Sequence, residues 1–185
     1  MEEESDKKRV FICIDFSDEV IKEVARVQEL MGKKKFTGKL IELGNLHLTL
    51  KFLGEIDDKK LDDVKKRLKK IEFKEIELKL GEIGTFSHQG SPKIVWIKIE
   101  GKEIWDLQKQ IDKSLKELFA EEERFMSHLT IARIKYVNDK EDFAKHIKNI
   151  SVKPIKFKID RFKLMKSELK RIGAVYTTLQ EYGAS

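Results

Sequence analysis

The tripeptide His-Leu-Thr occurs twice in this chain, in the runs LHLTLKFLGEI and SHLTIARI, whose composition is typical of β-strands. The two copies contain His47 and His128, two of the four histidines in the sequence. Side chains alternate faces along a strand, so each histidine shares its face with the threonine two residues later, Thr49 or Thr130. The leucine between them then faces a core. The sequence therefore predicts two strands that each present an imidazole and a hydroxyl on one polar face.

The apolar pattern around each copy alternates between strand and helix spacing in the same order. In the first half, we predict a strand over 9–16, a helix over 17–32, a strand over 46–56, a helix over 57–71 and a strand over 75–86. The second half repeats the order with a strand over 93–100, a helix over 104–118, a strand over 127–134, a helix over 143–150 and a strand over 154–160. Two more strands, over 161–166 and 174–182, close the chain. Such a long repeat predicts two packed lobes rather than a solenoid.

The composition of the 185 residues favours a single domain of two intertwined lobes. Hydrophobic residues make up 40% of the chain and charged residues 39%, which provides a core and argues against disorder. Cys13 is the only cysteine, so an intrachain disulfide and a cysteine-based zinc site are both excluded. No glycine- or proline-rich linker divides the chain. We expect the charged residues 1–8 to form a flexible N-terminal extension.

Charge and hydropathy bear on the location of the protein and on its partner. No apolar run approaches the roughly 18 residues of a membrane span, and the N-terminus lacks the apolar core of a signal peptide. We therefore expect a cytoplasmic protein with no membrane partner. The formal net charge of +6 favours an anionic partner such as nucleic acid. An ordinary solvated surface rich in lysine and glutamate explains the same charge equally well.

If the polar faces of the two strands meet across a cleft, two imidazoles and two hydroxyls come together. Two histidines without a third strong ligand make a poor zinc site. Nucleophilic catalysis needs a serine or cysteine beside a base, and Cys13 lies on another strand with no motif around it. General acid–base catalysis remains, in which a neutral imidazole takes a proton and a protonated one gives a proton. With hydroxyls that bind oxyanions, this set of groups suits a phosphodiester.

The segments HLTLKFLGE and HLTIARIK resemble the paired His-x-Thr-x motifs of the two-histidine (2H) phosphoesterase superfamily. Within it, they are similar to those of the RNA 2′,3′-cyclic phosphodiesterase family, also called 2′-5′ RNA ligases. RVFICIDF, GTFSHQGSPKIVWIKIEG and FKLMKSELKRIGAVYTTLQEY resemble the family's first strand, middle segment and closing hairpin. The resemblance implies an α+β fold with two lobes and pseudo-twofold symmetry, in which two antiparallel sheets line a central cleft and the helices lie outside. It also implies hydrolysis of a terminal 2′,3′-cyclic phosphate to a 2′-phosphate, without a metal or another cofactor.

The resemblance assigns a role to each residue of the two motifs. His47 matches the proton donor to the departing 3′-oxygen, and His128 matches the base that activates water. Thr49 and Thr130 match the hydroxyls that bind the phosphate.

Two further positions follow from the resemblance. Arg133 matches a basic residue that assists phosphate binding. Simple alternation would place Arg133 on the face opposite to His128, so a β-bulge or a strand end must intervene. The corresponding position of the first half is Phe52, so the duplication is imperfect there. Phe86 matches an aromatic residue that stacks on the terminal base, although a core phenylalanine at a strand end explains it equally well.

Three functions remain open on the sequence alone. The first is hydrolysis of RNA 2′,3′-cyclic phosphate ends, such as those of tRNA halves, or of small cyclic nucleotides, by a monomeric protein. The second is ligation of such an end to a 5′-hydroxyl at the same site, which only a product assay distinguishes from the first. The third is RNA binding without turnover, which the intact histidines and threonines of both motifs disfavour.

Overall fold

A computed structural model describes residues 7–32 and 35–185. The order of the elements agrees with the predicted order, except for one added strand, β2, in the first half. The elements are β1 (Lys8–Ile14), α1 (Asp18–Met31), β2 (Thr37–Leu40), β3 (Leu48–Ile56), α2 (Asp58–Leu68), β4 (Ile76–His88), β5 (Ser91–Glu100), α3 (Lys102–Leu115), β6 (His128–Tyr136), α4 (Lys140–Lys148), β7 (Lys156–Ile159), β8 (Arg161–Lys170) and β9 (Gly173–Gly183). Of the N-terminal extension expected over 1–8, residues 1–6 lie outside the described residues, and Lys8 is already part of β1.

The strands form two antiparallel sheets. The first sheet has the order β3-β1-β8-β9, and the second has the order β2-β6-β5-β4-β7. Strand β4 comes from the first half of the sequence but lies in the second sheet, whereas β8 and β9 complete the first sheet. The two halves therefore exchange strands. The α+β fold with two antiparallel sheets, predicted above, is confirmed.

The apolar stripes predicted for the helices are the faces that pack on the sheets. Helix α1 is typical, since four residues at helical spacing are completely buried: Val20, Val24, Val27 and Met31. Gly32 ends this helix with a positive φ of 72°, a conformation that glycine adopts without steric cost. Among the described residues, no helix is long and apolar enough to cross a membrane.

Strand β6 contains a bulge directly after its threonine. Neighbouring residues of β5 pair with Thr130 and Ala132, so Ile131 is an extra residue in the ladder. Ile131 and Ala132 are both buried on the core side. Arg133 therefore returns to the face that carries His128 and Thr130. This is the bulge that Arg133 requires in order to reach the site.

Strand β3 contains a bulge at the equivalent place. Neighbouring residues of β1 pair with Thr49 and Lys51, which makes Leu50 the extra residue. Leu50 and Lys51 are both buried, and Phe52 returns to the face of Thr49 with 73% of its surface exposed. The bulge thus directs the side chain of Lys51 into the protein interior, where its positive charge needs a carboxylate or other hydrogen-bond acceptor.

Candidate active site

A cavity of about 570 Å³ is lined by residues of both sheets. All six residues that the resemblance assigns to the site line this cavity: His47, Thr49, Phe86, His128, Thr130 and Arg133. Each of the two motif strands contributes its polar face. The structure therefore brings together the two copies of His-Leu-Thr, as expected for two lobes that face each other across a cleft.

The two imidazoles are oriented by the same local contact. The Nδ1 atom of His47 lies 2.8 Å from the carbonyl oxygen of Asn45, and that of His128 lies 2.7 Å from the carbonyl oxygen of Met126. A carbonyl oxygen only accepts hydrogen bonds, so each Nδ1 carries a hydrogen and donates it. Proton exchange with a substrate is left to Nε2 of each ring. The chain thus fixes the same tautomer of neutral imidazole at both positions.

Aromatic rings pack against both imidazoles. The centroid of the His47 ring lies 4.9 Å from that of Phe11 and 5.2 Å from that of Tyr176, which meets it edge-on. The His128 ring meets Phe86 edge-on at 5.2 Å. These contacts restrict rotation of both imidazoles. Phe86 therefore supports His128 in the described structure, and its stacking on a base stays a prediction.

The electrostatic surroundings of His47 favour its neutral form. Burial is the largest effect and lowers the pKa of His47 below its ordinary value of 6.5. The hydrogen bond to the Asn45 carbonyl and the carboxylate of Asp15 oppose this shift, whereas the charge of Arg133 adds to it. An anion bound between His47 and Arg133 would reverse the effect, because a negative charge raises the pKa of an imidazole.

Two guanidinium groups line the cavity without an ion pair among the described residues. These groups belong to Arg133 and Arg124. The other cations that line the cavity, Arg9 and Lys51, each pair with a carboxylate. Sequence reasoning missed Arg124 because it lies in the charged run EEER, which is typical of a solvated surface. The cavity therefore offers two unpaired cations to an anionic ligand.

A buried ion pair connects β3 to helix α3, and further hydrogen bonds of the same two side chains reach the irregular segment that leads to β6. The side chains of Lys51 and Asp112 form this pair and are only 4% and 10% exposed. Lys51 Nζ also donates to the carbonyl oxygen of Ala120 at 2.8 Å. Asp112 Oδ2 accepts from the backbone N–H of Glu122 at 3.0 Å and from Gln108 Nε2 at 2.9 Å. The pair thus holds the segment around Glu122, which lines the cavity, against β3, the strand that follows His47.

Sequence reasoning also missed four aromatic residues of the cavity, which are Phe11, Phe52, Phe125 and Tyr176. A signal existed for two of them. Phe11 lies on the face of β1 opposite to Val10 and Ile12, where it alternates with Cys13. Phe52 occupies the position in the first half that corresponds to Arg133 in the second half. Tyr176 lies in the segment that resembles the closing hairpin, but nothing in that segment indicates that its ring reaches the cavity. Phe125 directly follows the charged run EEER, and no motif marks it.

Neither a metal centre nor a thiol nucleophile is found in the part of the chain that the structure describes. Residues 7–32 and 35–185 contain no group of three or more His, Cys, Asp or Glu side chains placed to hold a metal ion. Burial raises the pKa of the Cys13 thiol, so this side chain stays protonated and a poor nucleophile.

Comparison with known proteins identifies the family. The family model described as LigT like phosphoesterase matches residues 14–96 and 98–176, and each of these segments contains one His-Leu-Thr copy. This chain belongs to that family. The resemblance that the paired motifs indicated is therefore confirmed.

Relatives of this LigT-like phosphoesterase match it over nearly its full length. A protein of Methanocaldococcus jannaschii is 33% identical over 176 residues, which cover 94% of this chain and 99% of the relative. A protein of Thermotoga maritima is 34% identical over 177 residues, which cover 94% of both chains. Both relatives are named RNA 2′,3′-cyclic phosphodiesterase.

Solved structures share the fold of this LigT-like phosphoesterase. The protein TT0787 of Thermus thermophilus superposes with a TM-score of 0.77 at 26% identity, covering 95% of this chain and 97% of TT0787. The apo form of Escherichia coli LigT superposes with a TM-score of 0.79 at 20% identity, covering 98% and 99% of the two chains. The overall fold of this chain is thus shared with these solved structures.

Proposed function

We propose that this LigT-like phosphoesterase is an RNA 2′,3′-cyclic phosphodiesterase that opens a terminal 2′,3′-cyclic phosphate to a 2′-phosphate. One observation carries the proposal, namely that two imidazoles with the same Nδ1 contact line one cavity together with two threonines. An acid and a base on the two sides of a phosphodiester are what its hydrolysis requires. The names of the relatives supply the substrate class.

In the proposed reaction, the two histidines move one proton each. Neutral His128 takes a proton from water at Nε2, and the water oxygen forms a bond to phosphorus. The bond from phosphorus to the 3′-oxygen breaks, and protonated His47 gives the proton on its Nε2 to that oxygen. One water is consumed, and the products are a 2′-phosphate and a 3′-hydroxyl. His128 then carries a proton and His47 lacks one, so exchange with solvent restores the starting state.

The remaining side chains stabilise the charge on the phosphorus-centred transition state. Thr49 and Thr130 donate hydrogen bonds to the non-bridging oxygens, and Arg133 adds a positive charge beside them. Preorganised donors are effective here because they need no reorganisation during the reaction. Phe86 is placed in the same cavity and contributes a ring for the terminal base.

The proposal includes the partner and the state of the protein. The substrate is RNA with a 2′,3′-cyclic end, such as a tRNA half, and the reaction takes place in the cytoplasm. One chain supplies both histidines, both threonines and Arg133 to a single cavity, which supports a monomeric enzyme. The exchange of strands between the two sheets supports a single domain of two intertwined lobes.

A product assay tests the proposed function. A short RNA that ends in a 2′,3′-cyclic phosphate is incubated with the protein in EDTA, and the phosphate isomer is identified by 31P NMR. We expect a 2′-phosphate, and we expect the variant His47→Ala/His128→Ala to form none. A 3′-phosphate, or activity that EDTA abolishes and a divalent ion restores, would contradict the mechanism. If a 5′-hydroxyl RNA is added and a 2′-5′ linkage replaces hydrolysis, the same site acts as a ligase.

A further inference from the structure

Strand β6 contains a second bulge beyond Arg133. Neighbouring residues of β2 pair with Ile134 and Tyr136, so Lys135 is an extra residue in this ladder. Ile134 and Val137 are buried in the core, and the two residues between them are exposed. Lys135 and Tyr136 therefore share the face opposite to the core, which is the face of Arg133.

The two bulges keep the functional side chains of β6 on one face over its whole length. From the cleft outwards, this face carries His128, Thr130, Arg133, Lys135 and Tyr136. Lys39 of β2 pairs directly with Arg133 and so lies on the same face. We call Lys39, Lys135 and Tyr136 the β6 rim. None of these three residues lines the 570 Å³ cavity, so the β6 rim extends the site beyond the volume that holds the histidines.

The β6 rim combines an exposed aromatic ring with available positive charge. Tyr136 is 60% exposed, and its ring contacts no other aromatic ring among the described residues. Lys135 forms no ion pair within residues 7–32 and 35–185. Lys39 lies 3.7 Å from Glu42 and donates to the carbonyl oxygen of Ile172 at 3.2 Å. An ammonium group has three donors, so Lys39 keeps capacity for an anion.

We infer that the β6 rim binds the RNA strand that leads away from the terminal nucleotide, with Tyr136 stacking on a base and Lys39 and Lys135 binding backbone phosphates. The inference rests on the proposed function of the cavity. Single-stranded RNA is recognised by stacking of unpaired bases on aromatic side chains and by cations along the backbone. Arg133 lines the cavity and pairs with Lys39 of the β6 rim, so positive charge continues from the site of the terminal phosphate to the sites of the next phosphates.

A second groove next to the cavity is a weaker candidate for this strand. It has a volume of about 290 Å³ and shares Arg9 and Ser167 with the cavity. Arg9 pairs with Glu55, and Lys166 pairs with a glutamate two residues later. Among residues 7–32 and 35–185, no aromatic side chain lines this groove. The groove therefore offers no ring among these residues on which a base could stack.

Substrates of two lengths test the inference. We compare a cyclic mononucleotide with a tetranucleotide that has the same 3′-terminal nucleotide and a 2′,3′-cyclic end. Tyr136→Ala should lower kcat/KM for the tetranucleotide by about 5- to 150-fold, the usual effect of losing one base stack. The same variant should leave kcat/KM for the mononucleotide within about twofold of the wild type, because that substrate does not reach the β6 rim. Tyr136→Phe, which keeps the ring, should behave as the wild type with both substrates.

A pair of charge variants tests the phosphate contact. Lys135→Glu should lower kcat/KM for the tetranucleotide and weaken its dependence on salt, because fewer counterions are released on binding. The control is Lys109→Glu, which makes the same charge change on the exposed side of α3 and should have no such effect.

The outcomes separate the inference from the proposed function. If the wild type hydrolyses the mononucleotide and Tyr136→Ala lowers kcat/KM for both substrates equally, or for neither, the β6 rim does not bind RNA. The same conclusion follows if Lys135→Glu and Lys109→Glu behave alike. If the wild type hydrolyses neither substrate, the proposed function itself is wrong.

Discussion

His47 and His128 make the same hydrogen bond to the chain but lie in different surroundings. His47 packs between Phe11 and Tyr176, and its burial disfavours the charged form. In the proposed mechanism His47 has to begin the reaction protonated, although its burial in the free protein favours the neutral form. We expect a bound substrate to favour the protonated form, because a phosphate anion raises the pKa of a neighbouring imidazole.

This asymmetry predicts the pH dependence of the reaction. In the free protein, the pKa of His47 should lie below 6.5, and NMR titration of its ring protons measures it. If His47 is the acid, kcat/KM falls as pH rises through this lowered value, because the proton to be donated is lost. The bound phosphate raises the pKa, so the alkaline limb of kcat should lie at higher pH than that of kcat/KM. A free His47 that titrates above 6.5, or a kcat limb below the kcat/KM limb, would show that the surroundings act differently.

Alanine variants of the histidines test the roles of acid and base. Each of His47→Ala and His128→Ala should lower kcat by roughly 10²–10⁴, the usual contribution of proton transfer. Thr49→Ala and Thr130→Ala should be milder, since water replaces part of a lost hydroxyl donor. A phosphodiester with a nitrophenol leaving group needs no acid, so it should partly rescue His47→Ala only. Rescue of His128→Ala instead would exchange the two roles, and near-normal activity of both variants would exclude the two-histidine mechanism.

At the scale of strands and helices, the sequence predicts the polar face of each motif but not the bulge after it. The spacing of His47 and Thr49 is a property of one strand and can be read locally. A bulge depends on how two strands pair, and nothing local marks Leu50 or Ile131 as an extra residue. Arg133 could be placed in the site only because the resemblance required it. Sequence reasoning also missed β2, since TGKL is short, mostly exposed and without alternation.

Because the bulge in β3 buries Lys51, the stability of the fold should depend on the ion pair between Lys51 and Asp112. Asp112→Ala leaves Lys51 charged and buried, so the free energy of unfolding should fall by about 3–5 kcal/mol. Urea unfolding followed by circular dichroism measures this change. The control is Glu117→Ala, which removes an exposed partner of Arg67 and should leave the midpoint nearly unchanged. Equal effects of the two substitutions would mean that the buried pair adds no special stability.

Acid should remove the contribution of the same pair. Burial alone would raise the pKa of Asp112, but hydrogen bonds from Lys51, from the Glu122 amide and from Gln108 hold it below its ordinary value of 3.8. A carboxylate with a lowered pKa stabilises the fold fully above the unfolded value. This contribution is lost as pH falls through the lower folded value. The difference in stability between the wild type and Asp112→Ala should therefore shrink when unfolding is measured below about pH 4.

At the scale of the whole molecule, the exchange of strands makes each sheet depend on distant parts of the chain. Strand β1 lies between β3 and β8, so removal of β8 and β9 exposes one edge of an apolar strand. Exposed edges of this kind pair with other chains. A variant that ends after Asp160 should therefore aggregate, and the pelleted fraction and the loss of cooperative unfolding measure this. A soluble truncated chain that unfolds in one transition would show that the first sheet is stable without its last two strands.

The same topology has a consequence for synthesis on the ribosome. Strand β1 is made early, but β8 follows it only after more than a hundred residues, which takes roughly 10–30 s at ordinary rates of translation. During this time the edge of β1 that pairs with β8 in the finished sheet has no partner, and we expect this edge to be prone to aggregation in the nascent chain. Tyr176 closes the pocket around His47 only when β9 has emerged. We therefore expect the proposed activity to appear only after β9 has been synthesised, close to the end of translation of each chain.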